Sequence, residues 1–293
     1  MKRILVPLDG SLLSESILPV AEEWAKEDGA EVILLRAVMA HHLPGADATE
    51  AEVKVVGEGE AYLKEVVERL ERRGVKQVRW VVWYEEPAKA IVEAAARDAV
   101  DLIAMATHGR NGLSRRLLGS VAEAVVRASR VPVLLLRGQS AWKPWVHGKI
   151  LVPLDGSEAS GAILPIVERL AGPRDLTVSL LEVIEPLPSA VRAELASQME
   201  EMMIVRREEA ERYLAKVVEP LVDEGVRAEW TARNGRAAET IAEVANEKRA
   251  DLIAMATHGR SGLGRLLFGS VAEGVLRSAA VPVLLYKTMD QGW

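Results

Sequence analysis

The chain has 293 residues, of which 49% are hydrophobic and 27% charged, with a formal net charge of −6 and no cysteine. This composition excludes an intrinsically disordered chain and leaves room for two globular domains. It also excludes disulfides, iron–sulfur clusters and thiolate zinc sites, and it disfavours nucleic-acid binding, because basic residues dominate only two short loops. We expect no membrane association and a cytoplasmic location, since no apolar run approaches a membrane span and Asp9 comes too early for a secretory signal.

Two stretches of the sequence occur twice. Residues 4–11, ILVPLDGS, return unchanged at 150–157, and residues 101–110, DLIAMATHGR, return unchanged at 251–260. The repeated unit is much longer than that of a solenoid, so the two halves form two domains of one design. The predicted division is a first domain over residues 1–138, a linker over residues 139–148 and a second domain over residues 149–293.

Apolar runs of strand length alternate with segments of helical periodicity through the first half. The predicted strands are Ile4–Leu8, Val32–Val38, Val78–Tyr84, Leu102–Ala106 and Val131–Leu136. The predicted helices are residues 11–27 ended by Gly29, a segment through Tyr62 ended by Gly74, residues 87–97 and a segment from Ser120, with a variable stretch over residues 41–59. The second half repeats this plan, with a longer helical stretch over residues 189–221. This alternation predicts an α/β fold of two doubly wound domains, each with a five-stranded parallel sheet and helices on both faces.

The strand of the second repeated stretch leads into a loop and then a helix in both halves. Gly109 permits a sharp exit from the strand, and Ser120 followed by Glu123 predicts a capping box at the start of the helix. No acidic residue lies in residues 102–122 or 252–272, although the chain has 43. A helix N-terminus behind such a loop presents backbone N–H groups and a positive dipole end to an anion. The pattern therefore predicts a phosphate-binding loop in each domain.

LVPLDGS near the start of each half and ATHGR…GS near its end resemble the universal stress protein family, over essentially the whole chain and as two tandem domains. ATP-binding members of that family carry G-x-x-G, then nine residues, then G-S or G-T. Residues 109–119 and 259–269 keep this nine-residue spacing between glycines, whereas Ala106 and Ala256 replace the first glycine. That replacement bears on nucleotide affinity rather than on the fold, at about 1–2 kcal/mol where the backbone is left-handed.

The resemblance implies an adenine nucleotide alpha hydrolase-like fold that binds ATP, ADP or AMP in each domain, with Asp9 and Asp155 facing the adenosine and Ala37 and Val183 lining the adenine pocket. The implied binding residues of the first domain are Pro7, Asp9, Ser11, Ala37, Ala106, Gly109, Arg110, Gly119, Ser120 and Val121. Those of the second domain are Pro153, Asp155, Ser157, Val183, Ala256, Gly259, Arg260, Gly269, Ser270 and Val271. The resemblance also implies an intrachain pseudo-dimer of the domains, and a homodimer of the chain is a further expectation.

Structural roles stay open for the same residues. Gly109 and Gly119 could serve only turns and caps, Ser120 could only cap its helix, and Asp9 could cap the first helix together with Ser11. Because the five histidines show no ligand spacing, we expect no metal site built from protein side chains, and a magnesium ion held mainly by phosphate oxygens stays open.

Catalytic motifs are weak in this sequence. It contains no G-x-x-x-x-G-K-[ST] loop, no G-x-S-x-G nucleophile elbow and no cysteine nucleophile. We therefore predict no catalytic residue and disfavour a dedicated ATPase, while slow hydrolysis with Asp9 or Asp155 positioning water or metal remains an alternative. The predicted function, from the resemblance, is a stress-response protein that senses adenine nucleotide at two sites. A scaffold that binds no nucleotide and acts through its paired domains is the rival.

Overall fold

Strands and helices alternate along both halves of the chain, as predicted. This computed structural model describes residues 1–39, 48–107, 119–138, 145, 147–186, 196–257 and 269–288. The chain divides into two units, residues 1–144 and 145–293, and each contains five parallel strands. The predicted α/β fold with two doubly wound domains is confirmed, while the limits of the linker, most of which lies outside the described residues, stay a prediction.

The strands of the first unit are β1 (Arg3–Pro7), β2 (Glu31–Val38), β3 (Val78–Tyr84), β4 (Leu102–Thr107) and β5 (Val133–Arg137). They lie in the order β3-β2-β1-β4-β5, and the neighbouring strands are parallel. Pro7 and Leu35 are register partners where β1 and β2 approach their carboxyl ends. The chain moves from β1 to β2 and β3 and then returns to β4 on the other side of β1. Open sheets form a crevice at such a reversal, beyond the carboxyl ends of the strands.

The helices of the first unit cover both faces of its strands. They span Leu12–Glu15, Leu18–Asp28, Ala48–Arg72, Pro87–Arg97 and Ser120–Ala128. Side chains alternate across a strand, so Val38 lies against the long helix at Gly59, whereas Ala37 on the other face shares a cleft with Pro87. Helices on both faces explain why the run from Ile4 to Val6 is continuously apolar and fully buried.

One helix predicted as continuous is interrupted. The segment over residues 11–27 forms a short helix, Leu12–Glu15, and then a second helix, Leu18–Asp28. Pro19 lies in the first turn of the second helix, where its missing N–H leaves no bond unmade. It could not continue the first helix, because its ring would meet the carbonyl four residues earlier. Gly29 ends the second helix in a left-handed conformation with φ of 66°, which confirms the predicted end.

The sequence predicts a variable stretch over residues 41–59. Residues 41–47 lie outside the described residues, and for the remainder the prediction is wrong, because a helix covers Ala48–Arg72. Gly59 belongs to this helix, although glycine is a poor helix former. A Cβ at Gly59 would lie 3.3 Å from Cδ of Arg36, so the glycine lets the helix approach the strands closely. Packing on β2 and β3 therefore outweighs local propensity.

The second unit repeats this arrangement. Its strands are β6 (Lys149–Leu154), β7 (Thr177–Ile184), β8 (Arg227–Asn234), β9 (Leu252–Ala256) and β10 (Val283–Tyr286), in the order β10-β9-β6-β7-β8. Its helices span Glu158–Gly161, Leu164–Ala171, Ala196–Asp223, Ala237–Glu247 and Ser270–Ser278, with a 3₁₀ turn over Gly172–Arg174. The helical stretch predicted over residues 189–221 is observed from residue 196, and residues 187–195 lie outside the described part. Among the described residues, no helix combines the length and the apolarity that crossing a membrane requires.

Candidate functional site

A cleft of about 510 Å³ lies beyond the carboxyl ends of β1, β2 and β4 in the first unit. Its walls come from these strand ends and from the first turns of helices 87–97 and 120–128. The predicted residues that line it are Pro7, Asp9, Ala37, Ala106, Gly119, Ser120 and Val121. Ser11 is absent from its described lining, and Gly109 and Arg110 lie outside the described residues.

The corresponding cleft of the second unit has a volume of about 980 Å³. The predicted residues that line it are Pro153, Asp155, Val183, Ala256, Gly269, Ser270 and Val271. Ser157 is absent from its described lining, as Ser11 is from that of the first cleft, and Gly259 and Arg260 lie outside the described residues. In each unit, the fold therefore brings residues up to about 120 positions apart in the sequence to one cleft. This is expected for parallel strands, whose carboxyl ends lie at the same edge of the sheet.

The helix at the first cleft begins where it was predicted, but the predicted capping box is wrong. Gly119 is the N-cap, with φ of 77° and ψ of 147°, and Ser120 is already the first helical residue. No side chain of the described residues caps this helix. The backbone conformation of Gly119 is one that residues with a Cβ rarely adopt, so the glycine takes the cap position that the serine needs for a capping box.

Because the serine is not the cap, several N–H groups of the first turn keep their capacity to bind a ligand. Glu123 is the first residue whose N–H finds an intrahelical acceptor, the carbonyl of Gly119 at 3.1 Å. The N–H groups of Ser120, Val121 and Ala122 have no acceptor within the helix, and all three residues line the cleft. The side chain of Ser120 is exposed. These groups form the positive end of a helix dipole at the cleft wall.

The corresponding helix of the second unit also begins after an N-cap glycine, but that glycine has a different backbone conformation. Gly269 is the N-cap before Ser270, and its φ is −57° rather than positive. Its N–H donates to the carbonyl of Thr257 at 3.1 Å, and a Cβ there would lie 3.0 Å from that carbonyl oxygen. Gly119 is therefore favoured by its backbone conformation, whereas Gly269 is favoured by its close approach to the carbonyl of Thr257, just beyond β9.

The alanines that replace the first glycine of the family pattern fit their positions. Ala106 is a strand residue of β4 paired with Leu136, and Ala256 ends β9 paired with Tyr286. Neither has a positive φ. The backbone strain considered for an alanine at these positions is therefore absent. Each alanine adds only a methyl group, at a position that lines its cleft.

Asp9 combines a structural role with a place in the cleft wall. Its Oδ1 accepts a hydrogen bond from the N–H of Ser11 at 2.9 Å, and its own N–H donates to Oγ of Ser14 at 3.2 Å. Ser11, not Asp9, is the N-cap of the first helix. Burial acts to raise the pKa of Asp9, but hydrogen bonds from Ser11 and Ser14 outweigh it and leave the pKa below its ordinary value. The cleft therefore contains an ionised carboxylate at neutral pH.

Asp155 repeats this turn in the second unit. Its Oδ1 accepts hydrogen bonds from the N–H of Ser157 at 3.0 Å and from the hydroxyl of the same residue at 2.5 Å. Ser157 caps its short helix as Ser11 does. Each serine thus donates a hydrogen bond to its aspartate from the side opposite the cleft, which accounts for the absence of Ser11 and Ser157 from the described cleft walls.

Several wall residues were not predicted. In the first cleft, Leu35, Pro87, Ile91 and Met105 add an apolar wall around Ala37. Leu35 could have been found by counting two residues back from Ala37 along β2, because alternate residues of a strand share a face. Pro87 and Ile91 gave no local signal, since their place in the cleft depends on how their helix crosses the strands.

The second cleft has a polar wall that the first lacks among its described lining residues. Glu182 from β7 and Arg206, Glu209 and Tyr213 from the helix Ala196–Asp223 contribute to it. Arg206 lies at the cleft margin, where its Nη1 donates to the carbonyl of Glu185 at 3.4 Å. Among the described residues, no three histidine or carboxylate side chains come together as ligands for a metal ion.

Arg36 occupies the position in the first unit that Glu182 has in the second, because each follows the register partner of the strand proline. The guanidinium carbon of Arg36 lies 4.9 Å from the centre of the Tyr62 ring. Its Nη1 lies so near Gly10 that a Cβ at Gly10 would clash with it, and Gly10 has φ of 84°. Arg36 thus packs against the turn after β1 and the Tyr62 ring.

Comparison with known proteins finds similarity in both halves. Residues 1–137 and residues 147–287 each match the sequence model described as the universal stress protein family. A universal stress protein of Methanocaldococcus jannaschii is 38% identical over 141 residues, which cover 46% of this chain and 82% of that protein. One of Mycobacterium bovis is 38% identical over 141 residues, which cover 46% of this chain and 45% of that protein, so the match spans less than half of that relative.

Solved structures are similar over nearly the whole chain. The crystal structure of a universal stress protein from Archaeoglobus fulgidus has a TM-score of 0.74 and 22% identity, and the match covers 97% of this chain and 98% of that one. A second structure, from Pseudomonas aeruginosa, has a TM-score of 0.67 and 20% identity, covering 98% of this chain and 93% of that one. At these identities the structures show a shared fold.

Proposed function

This chain belongs to the universal stress protein family and carries two domains of that family in tandem, and from that premise we propose that it binds ATP, ADP or AMP in both clefts as a nucleotide-sensing stress-response protein. The observation that carries the proposal is the order of groups along each cleft. An apolar wall lies at β2 or β7, a carboxylate follows β1 or β6, and a helix N-terminus follows β4 or β9. A nucleotide carries base, ribose and phosphates in that same order.

The apolar wall suits an adenine ring. In the first cleft, Leu35 and Ala37 of β2 share the wall with Pro87 and Ile91 of the following helix. In the second cleft, the corresponding wall includes Val183, with Ala237 and Ile241 on the helix. Small and aliphatic side chains leave room for a flat ring, and binding removes its apolar surface from water.

The helix N-terminus suits the phosphates. Three successive N–H groups at Ser120, Val121 and Ala122 have no intrahelical acceptor, and the dipole of the helix favours negative charge there. We further propose that the acid-free loops complete this end of each site through Gly109 and Arg110, and through Gly259 and Arg260, although these residues lie outside the described part.

The aspartates set the direction in which the nucleotide binds. An ionised carboxylate accepts hydrogen bonds from ribose hydroxyls and repels phosphate. Asp9 and Asp155 follow β1 and β6, between the apolar wall and the helix N-terminus. They therefore favour ribose in the middle of the cleft and phosphates at the helix.

Binding, rather than hydrolysis, is the proposed activity. A general base works best with a pKa near the operating pH, and the pKa of Asp9 lies below its ordinary value. A magnesium ion that accompanies the nucleotide would have phosphate oxygens as its main ligands. An intrachain pseudo-dimer, a homodimer and a cytoplasmic location stay predictions beside this proposal.

Calorimetric titration of the full chain with ATP tests the proposal. We expect two nucleotides per chain for the wild type, one for Ala37→Trp, one for Val183→Trp, and none for the double variant. The indole would occupy the space beside the apolar wall where the adenine ring binds. Val222→Trp, on a side chain that is 52% exposed, is the matched control and keeps both sites.

Two results would contradict the proposal. If the wild type binds neither ATP nor ADP at millimolar concentration, the chain is better described as a scaffold. If the double variant binds two nucleotides as tightly as the wild type, the nucleotide sites lie elsewhere.

A further inference from the structure

The two units end their sheets with outer strands of very different character. Among the described residues, β3 pairs on one side only, with β2, and β8 likewise pairs only with β7. The sequence of β3 is VRWVVWY, with a single charged residue, whereas β8 reads RAEWTARN, with three. A strand edge with exposed N–H and C=O groups is a template for another strand, and charged side chains are a common protection against this.

The side chains of β3 are half-buried along most of its length, and Tyr84 is 38% exposed. Its two tryptophans are held in place by cations of the same unit. Nζ of Lys64 lies 5.2 Å from the centre of the Trp80 ring, and the guanidinium of Arg97 lies 4.7 Å from that of Trp83. Cations over the ring faces fix the orientation of both aromatic side chains. The two tryptophans of β3 are therefore ordered before any partner arrives, with a cation of the same unit over each ring.

The one charge of β3 is already neutralised. Nε of Arg79 lies 2.8 Å from Oε1 of Glu31, and its Nη2 lies 3.2 Å from Oδ2 of Asp98. A second strand beside β3 would therefore meet a compensated charge. In β8, Arg227, Glu229 and Arg233 also have ion-pair partners, but three charged side chains rather than one would lose water on pairing.

The backbone register shows which groups of β3 face outward. The N–H of Val32 in β2 donates to the carbonyl of Gln77 at 2.9 Å. Because N–H and C=O groups of a strand alternate in direction, Gln77 and every second residue after it face β2. The outward-facing residues of β3 are therefore Val78, Trp80, Val82 and Tyr84.

We propose that β3 is the interface of a homodimer, in which it pairs antiparallel with β3 of a second copy about a two-fold axis at Val81. In this register each outward-facing residue meets an outward-facing residue. Trp80 lies opposite Val82 of the second copy, so these two residues exchange their backbone hydrogen bonds, and Val78 lies opposite Tyr84 of the second copy.

The same register brings no like charges of the two strands together. Arg79 lies opposite Trp83 of the second copy, on the same face of the strands, and never opposite another Arg79. An isologous interface needs a patch that matches itself, and this strand does so over its full length. A second copy is therefore the occupant that the edge fits. The inference does not depend on nucleotide binding.

Sedimentation analysis of the full chain and of charge variants at the two-fold axis tests the proposal. The wild type is expected to dimerise. Val81→Lys and Val81→Glu each place like charges opposite one another, so each weakens the dimer by about tenfold or more, and an equimolar mixture of the two restores it. Thr231→Lys, at the matching position of β8, is the control and leaves the dimer intact.

Amide hydrogen exchange on the wild type supplies a second measurement that needs no variant. Raising the protein concentration is expected to slow exchange at the outward-facing N–H groups of Trp80 and Val82 and to leave Val81 unchanged. The proposal is overturned if the wild type is monomeric at all concentrations, if Val81→Lys dimerises as well as the wild type, or if Thr231→Lys dissociates the dimer equally. A wild type that is monomeric at all concentrations would leave the edge of β3 available for pairing with a strand of another protein.

Discussion

The two units share a motif of eight identical residues that covers most of the first strand and the turn after it, yet the surroundings of that motif differ. In the first unit, Tyr62 donates to Glu15 at 2.9 Å and Glu15 pairs with Arg69 at 2.7 Å, with Arg36 over the tyrosine ring. In the second unit, the matching positions are Tyr213, Gly161, Pro220 and Glu182, in the same order. The loss of that cluster accompanies a larger cleft with a polar wall. Conserving a sequence motif between repeats therefore does not conserve the structure around it.

The largest expected effect comes from the glycines at the helix caps, which the two units use differently. Gly119→Val forces a side chain onto a backbone with φ of 77°, and we expect it to lower the free energy of unfolding of the first unit by about 1–3 kcal/mol. Gly269→Val brings a side chain against the carbonyl of Thr257, which it can relieve only by moving the helix start. Denaturant unfolding and ATP titration of each variant measure both consequences.

Gly119→Ala and Gly269→Ala separate the two reasons for a glycine at the caps, because each adds only a Cβ. If the account of the caps is right, Gly119→Ala retains most of the destabilisation, because any Cβ is disfavoured at that φ, while Gly269→Ala meets one contact at 3.0 Å that a small shift relieves. Equal and negligible losses for both alanine variants would show that neither glycine is needed for the reason given.

The aspartates should matter to both clefts alike, despite their different surroundings. Asp9→Asn and Asp155→Asn each remove a charged acceptor for the ribose, and we expect each to weaken nucleotide binding at its own cleft by about ten- to a hundredfold. Ser11→Ala and Ser157→Ala remove helix caps and a hydroxyl beside each aspartate but keep the carboxylate, and they should cost stability of about 1 kcal/mol with a smaller effect on binding. Titration of all four variants separates the two roles, and unchanged affinity in both asparagine variants would contradict the ribose contact.

The pH dependence of stability checks the state of Asp9. Its pKa in the folded chain is lowered from the ordinary 3.8, so its ionised form stabilises the fold fully above that value. This contribution is lost as the pH falls through the lowered pKa. We expect the difference in unfolding free energy between the wild type and Asp9→Asn to be constant near neutral pH and to shrink below pH 3.8. A difference that grows on acidification would contradict this sign.

The smallest expected effect lies in the cluster that only the first unit has. Arg36→Ala removes the cation above Tyr62 and should lower the free energy of unfolding of that unit by about 0.5–1 kcal/mol. Arg36→Lys keeps a cation and should recover part of the loss. Thermal unfolding of the two variants measures this, and an Arg36→Ala variant as stable as the wild type would show that the cluster does not stabilise the unit.

Much of this fold follows from local sequence. The strand Val78–Tyr84 and the helix Pro87–Arg97 have the predicted limits, because an apolar run and a proline in the first turn mark them unambiguously. The helix through Gly59 was missed at its start, because its packing on the strands is a tertiary effect. The interruption before Pro19 was missed although a helix start at proline is a local signal.

The candidate site was predictable in its strand-end residues and less so in its walls. Asp9 and Ala37 could be placed because parallel strands bring their carboxyl ends to one edge. The capping box at Ser120 was a wrong inference, since a serine followed by glutamate three residues later carries no information on the backbone angles of the glycine before it. Tyr213 lies about 30 residues beyond β7 in the sequence and belongs to the second cleft only through the packing of its helix, Ala196–Asp223.

A crystal structure of the chain grown with ATP is the sharpest test of nucleotide binding in the two clefts. We expect a nucleotide in both clefts, with the base beside Ala37 and Val183 and phosphate oxygens within hydrogen-bond distance of the N–H groups of Val121 and Val271. Two empty clefts at millimolar ATP, or a nucleotide bound with its phosphates away from both helix N-termini, would contradict it.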